Sequence, residues 1–252
     1  MVLHLIGIGL ADEKDISIKG LETLKGCSKI YLENFTSLLQ CTKEKLEIFY
    51  GKKIVLADRD LSEQGAEKIV EEAKNKEIAF LIIGDPFSAT THIELFRLAK
   101  EKNVPVQVIH NASVLTAIGE TGLQLYNFGK TASIPFPEKV PNLETPYLIL
   151  QQNLSLGMHT LFLLDLDPVK EKFLTISEAL EILEKIEQRK NGNLITSKTF
   201  VIACARLGSH DAVIKAGSLQ KIKALNFGKP PYCLIIPGKL HFMEEEMLQF
   251  WK

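Results

Sequence analysis

The chain has almost no net charge: 30 Lys and Arg face 31 Asp and Glu, a formal −1 at pH 7. Binding nucleic acid by bulk electrostatics needs a cationic surplus, so only a local patch remains open to that function. Cysteine is scarce, and its 4 copies (Cys27, Cys41, Cys204, Cys233) lie far apart. Without a Cys-x-x-Cys pair there is no zinc or dithiol signature, and the apolar neighbours of Cys204 and Cys233 suit small buried hydrophobes. The histidines are equally scattered, with no His-Glu-x-x-His pattern, so no metal is expected. The longest apolar run, near residues 78–83, is far short of the roughly 20 residues a membrane span requires. Met1-Val2-Leu3-His4-Leu5-Ile6-Gly7 lacks a basic segment and reads as a core strand, which argues against a signal peptide. A cytoplasmic protein is expected. No serine sits in a Gly-x-Ser-x-Gly elbow, so hydrolase chemistry has no support.

What is present is a globular composition, 46% apolar and 24% charged, over 252 residues. That length holds one large domain or two modest ones. In the first half, short apolar strands alternate with amphipathic helices. Strands are expected at 2–6, 30–32, 54–56, up to Ile83, and at 106–109. Helices are expected over 17–25 with Ser17 as N-cap, and over 43–50, 63–76 and 94–100. This alternation predicts βαβ units and a mostly parallel sheet. Pro135, Pro137, Pro141 and Pro146 then crowd together, which marks a linker. Beyond it the pattern resumes, with strands at 160–166, 199–205 and 232–236, a helix over 177–189 capped by Ser177, and a closing helix over 243–251. The expected fold class is α/β: two α/β domains, 1–136 and 147–252, joined by a linker at 137–146, with a cleft between them.

Two strand ends carry the chemistry. Ala79–Ile83 stops at Gly84-Asp85-Pro86 and continues as Phe87-Ser88-Ala89-Thr90-Thr91-His92. Ligands of open α/β sheets bind outside the carboxyl ends of such strands. Asp85 reads either as a ligand-anchoring carboxylate or as a helix N-cap with Pro86 as the first helical residue. After the next strand, His110-Asn111-Ala112-Ser113-Val114 offers backbone amides and a hydroxyl, or again a cap. Together the two loops favour a shared pocket. Gly7-Ile8-Gly9-Leu10 lacks the third glycine of a dinucleotide fingerprint, because position 12 is Asp12, so a nicotinamide site is disfavoured. The Asp165/Asp167 pair reads as solvated strand-end carboxylates or, less commonly, a metal pair, and Lys239 with His241 as a turn of ordinary surface charge or as contacts for an acidic substrate.

These segments, in this order, resemble the diphthine synthases, which belong to the tetrapyrrole-methylase-like S-adenosylmethionine-dependent methyltransferases. Further matching runs are Asp15–Glu22, Tyr126-Asn127-Phe128-Gly129-Lys130, Gly157-Met158-His159-Thr160, Ala205-Arg206-Leu207-Gly208-Ser209 and Pro237-Gly238-Lys239-Leu240-His241. The resemblance spans essentially the whole chain, and its Ala-Thr-Thr-His extension is more specific than Gly-Asp-Pro alone. It implies two α/β domains with S-adenosylmethionine folded into the cleft, and a homodimer. It also implies methylation of a 3-amino-3-carboxypropyl histidine on translation elongation factor 2, a step of diphthamide biosynthesis. Cofactor contacts would fall on Leu10, Asp85, Ser88, Ser113, Val114, Leu164, Leu207 and Tyr232, with backbone or shape contacts at 88, 207 and 232. Asp85 is expected to anchor the cofactor rather than move protons, and no general base is assigned.

The product stays open between the trimethylated amine and its methyl ester. Tyr31-Leu32-Glu33 through Arg59 is closer to the eukaryotic type, whereas the short stretch 165–175 lacks an insertion of that type. The competing readings are a methyltransferase of the same fold acting on a tetrapyrrole or RNA, and a non-catalytic S-adenosylmethionine-binding protein.

Overall fold

Continuous apolar runs require a strand covered on both faces, and Ile78–Ile82 is buried at every position. A computed structural model describes residues 1–58 and 65–252. Its chain divides into two compact units, residues 1–117 and 118–252.

In the first unit the order is β1 (Leu3–Gly7), α1 (Ile18–Gly26), β2 (Lys29–Glu33), α2 (Lys43–Tyr50), β3 (Ile54–Ala57), α3 (Ala66–Ala73), β4 (Ile78–Ile82), α4 (Ile93–Glu101), β5 (Val106–Ile109) and α5 (Val114–Ala117). The sheet order is β3-β2-β4-β1-β5, with every pairing parallel. One core joins Ile6, Ile8 and Ile30 to Leu24 of α1 and Leu46 of α2. The other joins Leu3, Leu5 and Phe80 to Ile69 and Val70 of α3 and Leu95 of α4. Each fully buried aliphatic contributes roughly 1.5–3 kcal/mol. Helices on both faces explain why β4 shows no polar alternation. The chain leaves β1 toward the α1 face and leaves its neighbour β4 toward the α4 face. That divergence is a topological switch point, where α/β sheets open a crevice.

The second unit runs β6 (Ala132–Ile134), α6 (Thr145–Ser155), β7 (Thr160–Leu164), β8 (Leu166–Asp167), β9 (Lys172–Phe173), α7 (Ile176–Lys190), β10 (Phe200–Ala205), β11 (Val213–Ser218), α8 (Leu219–Lys223), β12 (Tyr232–Ile236) and α9 (Phe242–Leu248). Its main sheet, β11-β10-β12-β7-β6, is mixed: β6 and β7 are parallel and the other pairings antiparallel. Its core packs Phe162, Val201 and Leu234 against Leu150 of α6, Leu180 and Leu183 of α7 and Ile222 of α8.

Several expectations shift. The units divide at 117/118 rather than near 137–146, because β6 pairs with β7 and so belongs to the second sheet. The stretch expected as linker runs into α6, where Pro146 sits in the first turn and needs no hydrogen-bond donor. Helix α7 is capped by Thr175, not Ser177: the Thr175 hydroxyl accepts from Glu178 N–H and the Glu178 side chain reaches back, a complete capping box. The 160–166 strand breaks at Asp165 into β7 and β8. The expected start of the 63–76 helix at Glu63, and Arg59, lie outside the described residues. Among the described residues no helix is long and apolar enough to cross a membrane.

Candidate functional site

The carboxyl ends of β1, β4 and β5 bring three loops together, and glycine allows them to touch. A Cβ on Gly7 would lie 2.6 Å from the Gly84 carbonyl oxygen, 2.9 Å from Asn111 Cβ and 3.0 Å from Pro86 Cδ. Gly9 and Gly84 both sit at positive φ, 79° and 86°, the region that suits a residue without Cβ. The Gly84 N–H donates to the Gly9 carbonyl at 2.7 Å, which stitches the β1 and β4 loops together.

Side chains finish the junction. One Asp15 carboxylate oxygen accepts from the N–H groups of Leu10 at 3.0 Å and Ala11 at 2.7 Å. The Asn111 amide donates to the carbonyls of Gly7 at 3.0 Å and Asp15 at 2.9 Å. Asp85 Oδ1 accepts from Phe87 N–H at 3.0 Å and from the Ser88 hydroxyl at 3.1 Å. Its Oδ2 accepts from Asn111 N–H at 3.2 Å and meets His110 Nδ1 at 2.7 Å. Burial pushes the Asp85 carboxyl up, but these donors from Phe87, His110, Asn111 and Ser88 outweigh it and hold its pKa below the ordinary value. The helix-cap reading of Asp85 does not hold, since α4 starts only at Ile93, with His92 at its N-cap. Asp85 instead latches the β4 loop to the β5 loop.

The expected contact residues fall into two groups, one in each unit. In the first unit Leu10, Asp85, Ser88 and Ser113 lie on the three loops at the carboxyl edge of the sheet, and Val114 opens α5 directly after the third loop. Leu10 and Val114 are half-buried. The Ser113 oxygen accepts from Leu115 N–H at 3.2 Å, which leaves its own proton to donate. In the second unit Leu164 ends β7, Tyr232 opens β12 opposite Ala205, and Leu207 follows β10. The Cys233–Leu163 register puts Leu164 beside Tyr232, so these three meet at one end of that sheet. Arg206, at φ 53°, braces the loop that carries Leu207. Its Nε donates to Asp211 at 2.8 Å, its Nη1 to the carbonyls of Phe227 at 2.9 Å and Lys229, and its Nη2 to the Asp211 carbonyl at 2.9 Å. A nucleoside joined to an amino acid needs apolar walls for a flat base and polar atoms at its edges. The half-buried aliphatics, backbone turns and free hydroxyl proton of these loops fit such a group.

Other motif residues make structural contacts, some buried and some at the surface. His159 Nδ1 accepts from Gly238 N–H at 3.0 Å, which leaves its Nε2 proton for Glu244 at 3.1 Å, with both side chains 0% exposed. Asn153 pairs with both backbone groups of Lys130 at 3.0 and 2.9 Å, and a Cβ on Gly129 would lie 2.2 Å from its Oδ1. His241 is exposed, as the surface reading expects, and it also caps α9, its Nδ1 accepting from Met243 N–H at 3.3 Å. Asp165 accepts from Phe136 N–H at 3.0 Å and pairs with Lys139 at 2.8 Å, while Asp167 pairs with Lys170 at 3.2 Å.

Sequence reasoning missed a buried polar pair beside the β4 end. Glu33, 1% exposed at the end of β2, accepts from Ile83 N–H at 2.9 Å and from the Thr36 hydroxyl. Burial lifts its carboxyl to about 7 against those hydrogen bonds. His92 Nε2 lies 3.6 Å from Glu33 Oε2, with the rings of Phe35 and Phe80 against the imidazole. Neither His92 nitrogen has a hydrogen-bond partner among the described residues, and burial drives its pKa down to about 4. The available signal was Glu33 directly after the apolar run Ile30-Tyr31-Leu32.

The model of the tetrapyrrole (corrin/porphyrin) methylases matches residues 2–223. Over 99% of its length the chain is 44% identical to a diphthine synthase from Methanococcus maripaludis and covers 98% of that protein. It is 41% identical to the diphthine methyl ester synthase of Schizosaccharomyces pombe, covering 98% of this chain and 93% of the relative. A crystal structure of a diphthine synthase superposes with a TM-score of 0.91 at 37% identity, covering 100% of this chain and 96% of that one. Likeness over the full length, in sequence and in fold, makes the chain a member of the tetrapyrrole methylase family, on its diphthine synthase branch.

Proposed function

We propose that this chain is an S-adenosylmethionine-dependent methyltransferase that successively methylates the 3-amino-3-carboxypropyl histidine intermediate on translation elongation factor 2. The product is diphthine or its methyl ester, within diphthamide biosynthesis. The observation that carries this reading is full-length identity of 41% and 44% to relatives named for those two products. The glycine junction of the first unit supports it, as a site with backbone close enough to hold a small ligand.

Bound S-adenosylmethionine supplies a methyl group already activated by its sulfonium. The residues of the chain then have to bind and orient. Leu10 and Val114 offer apolar surface, Ser113 a hydroxyl donor, and Asp85 with Ser88 a fixed turn. On the strength of the family resemblance, Leu164, Leu207 and Tyr232 of the second unit are read as further cofactor contacts. Alignment of this kind supplies about 7–11 kcal/mol of a barrier in well-ordered systems. On the strength of the family resemblance we also read the protein as a cytoplasmic homodimer with no nucleic-acid or membrane partner.

The test is methyl transfer from labelled S-adenosylmethionine to elongation factor 2, with and without the aminocarboxypropyl group. Label is expected only on the modified factor. Label on a tetrapyrrole or RNA instead, or cofactor binding without transfer to any acceptor, would overturn the reading.

A further inference from the structure

An amine attacks a methyl group only as the free base, yet an aliphatic amino group beside a free carboxylate is mostly protonated at neutral pH. Each round of methylation therefore needs a proton acceptor. Most titratable groups near the three loops are already committed. Asp15 accepts from two backbone N–H groups. Both Asp85 oxygens are engaged. Glu33 and His92 are 1% and 3% exposed, too deep to meet an amine carried by a folded partner.

His110 differs. It follows β5 directly, three residues before Ser113, and its side chain is 67% exposed. Its Nδ1 lies 2.7 Å from Asp85 Oδ2. The edge of its ring meets Phe87, with centroids 6.2 Å apart. An ionised carboxylate only accepts hydrogen bonds, and the pKa of Asp85 is held low. The neutral imidazole must therefore carry its proton on Nδ1 and leave Nε2 as a bare acceptor. A carboxylate that fixes the tautomer and stabilises the imidazolium is the usual support for a histidine base.

We propose that His110 is the proton acceptor for the N-methylations, with Asp85 as its positioning residue. This rests on the methyltransferase reading above. In each round the substrate ammonium passes a proton to Nε2, giving imidazolium. The freed nitrogen lone pair then forms a C–N bond to the transferred methyl as the C–S bond pair returns to sulfur. S-adenosylhomocysteine leaves, and the imidazolium gives its proton to water. Three rounds remove three protons and end at a quaternary ammonium with none left. A fourth methyl on the carboxylate oxygen would need no base.

The test compares the unaltered protein with His110→Asn, whose amide still donates to Asp85 but has no basic nitrogen. Single-turnover transfer to modified elongation factor 2 is followed from pH 6 to 9, with cofactor affinity from calorimetry. For His110→Asn the expected rate loss is roughly 100-fold at pH 7, shrinking as the pH rises and the amine deprotonates unaided. Cofactor affinity is expected to hold within about twofold, and added imidazole to restore part of the rate. Imidazole nitrogen NMR of the unaltered protein should show a protonated Nδ1. An unchanged rate at pH 7, or an equal loss at every pH together with weaker cofactor binding, would overturn the assignment and leave His110 as a loop brace. No transfer by the unaltered protein at any pH would overturn the methyltransferase reading, and the inference with it.

Discussion

At the residue scale, the acidic side chains of the first unit act mainly as fasteners. Asp85 takes four donors from two loops, so Asp85→Ala removes the latch without opening the hydrophobic core. The expected loss is about 1–3 kcal/mol of stability, with cofactor affinity lowered at least tenfold and the fold retained. Calorimetry beside a thermal melt checks this, and unchanged affinity would show that the latch does not serve the ligand. Glu33 and His92 pull stability in opposite directions with pH. The Glu33 carboxyl is raised to about 7 from 4.5, so the folded state keeps a proton that the unfolded state loses, and this contribution weakens as pH climbs between those values. His92 is lowered to about 4 from 6.5, so its contribution weakens as pH falls through that window. Glu33→Gln removes the first effect alone. Its melting temperature relative to the unaltered protein should rise steadily from pH 5 to pH 7.5, and a difference independent of pH would contradict a buried titrating carboxyl.

At the element scale, legibility followed local apolar patterning. Strands β5 and β12 have the bounds expected from sequence, and β1 and β4 lie within a residue, because each is a short, mainly apolar run. Strand β11 escaped because Lys215, Gly217 and Ser218 break up its apolar run, Val-Ile-Lys-Ala-Gly-Ser, and only β10 pairs with it among the described residues. Strand β6 is only three residues long and takes its identity from pairing with β7. Helix α6 was hidden by the prolines before it, although Pro146 occupies the one turn where proline is tolerated. The site was legible as loops and motifs, but the division of labour within them was not. Which donor reaches Asp85 depends on β1 lying between β4 and β5, a long-range arrangement that no local pattern states. Gly7→Ala tests that junction directly. Its Cβ would press on backbone at 2.6 Å, so the β1, β4 and β5 loops must separate. The expected cost is about 1–3 kcal/mol, seen as a lower melting temperature together with weakened cofactor binding. A variant that melts and binds like the unaltered protein would show that the loops are not tightly apposed.

For the whole molecule, the two units solve different problems with similar parts. The first is a doubly covered parallel sheet whose switch point opens at the glycine junction. The second is a mixed sheet whose loop ends are stiffened by Arg206 and by the buried His159–Glu244 pair. The central claim is that these parts methylate elongation factor 2 at its aminocarboxypropyl histidine. Intact mass spectrometry of that factor, after incubation with the protein and S-adenosylmethionine, tests it most directly. The account predicts a gain of at least three methyl units confined to the modified histidine, and a fourth would identify the methyl ester. A factor that gains no mass, while the protein binds the cofactor, would contradict it.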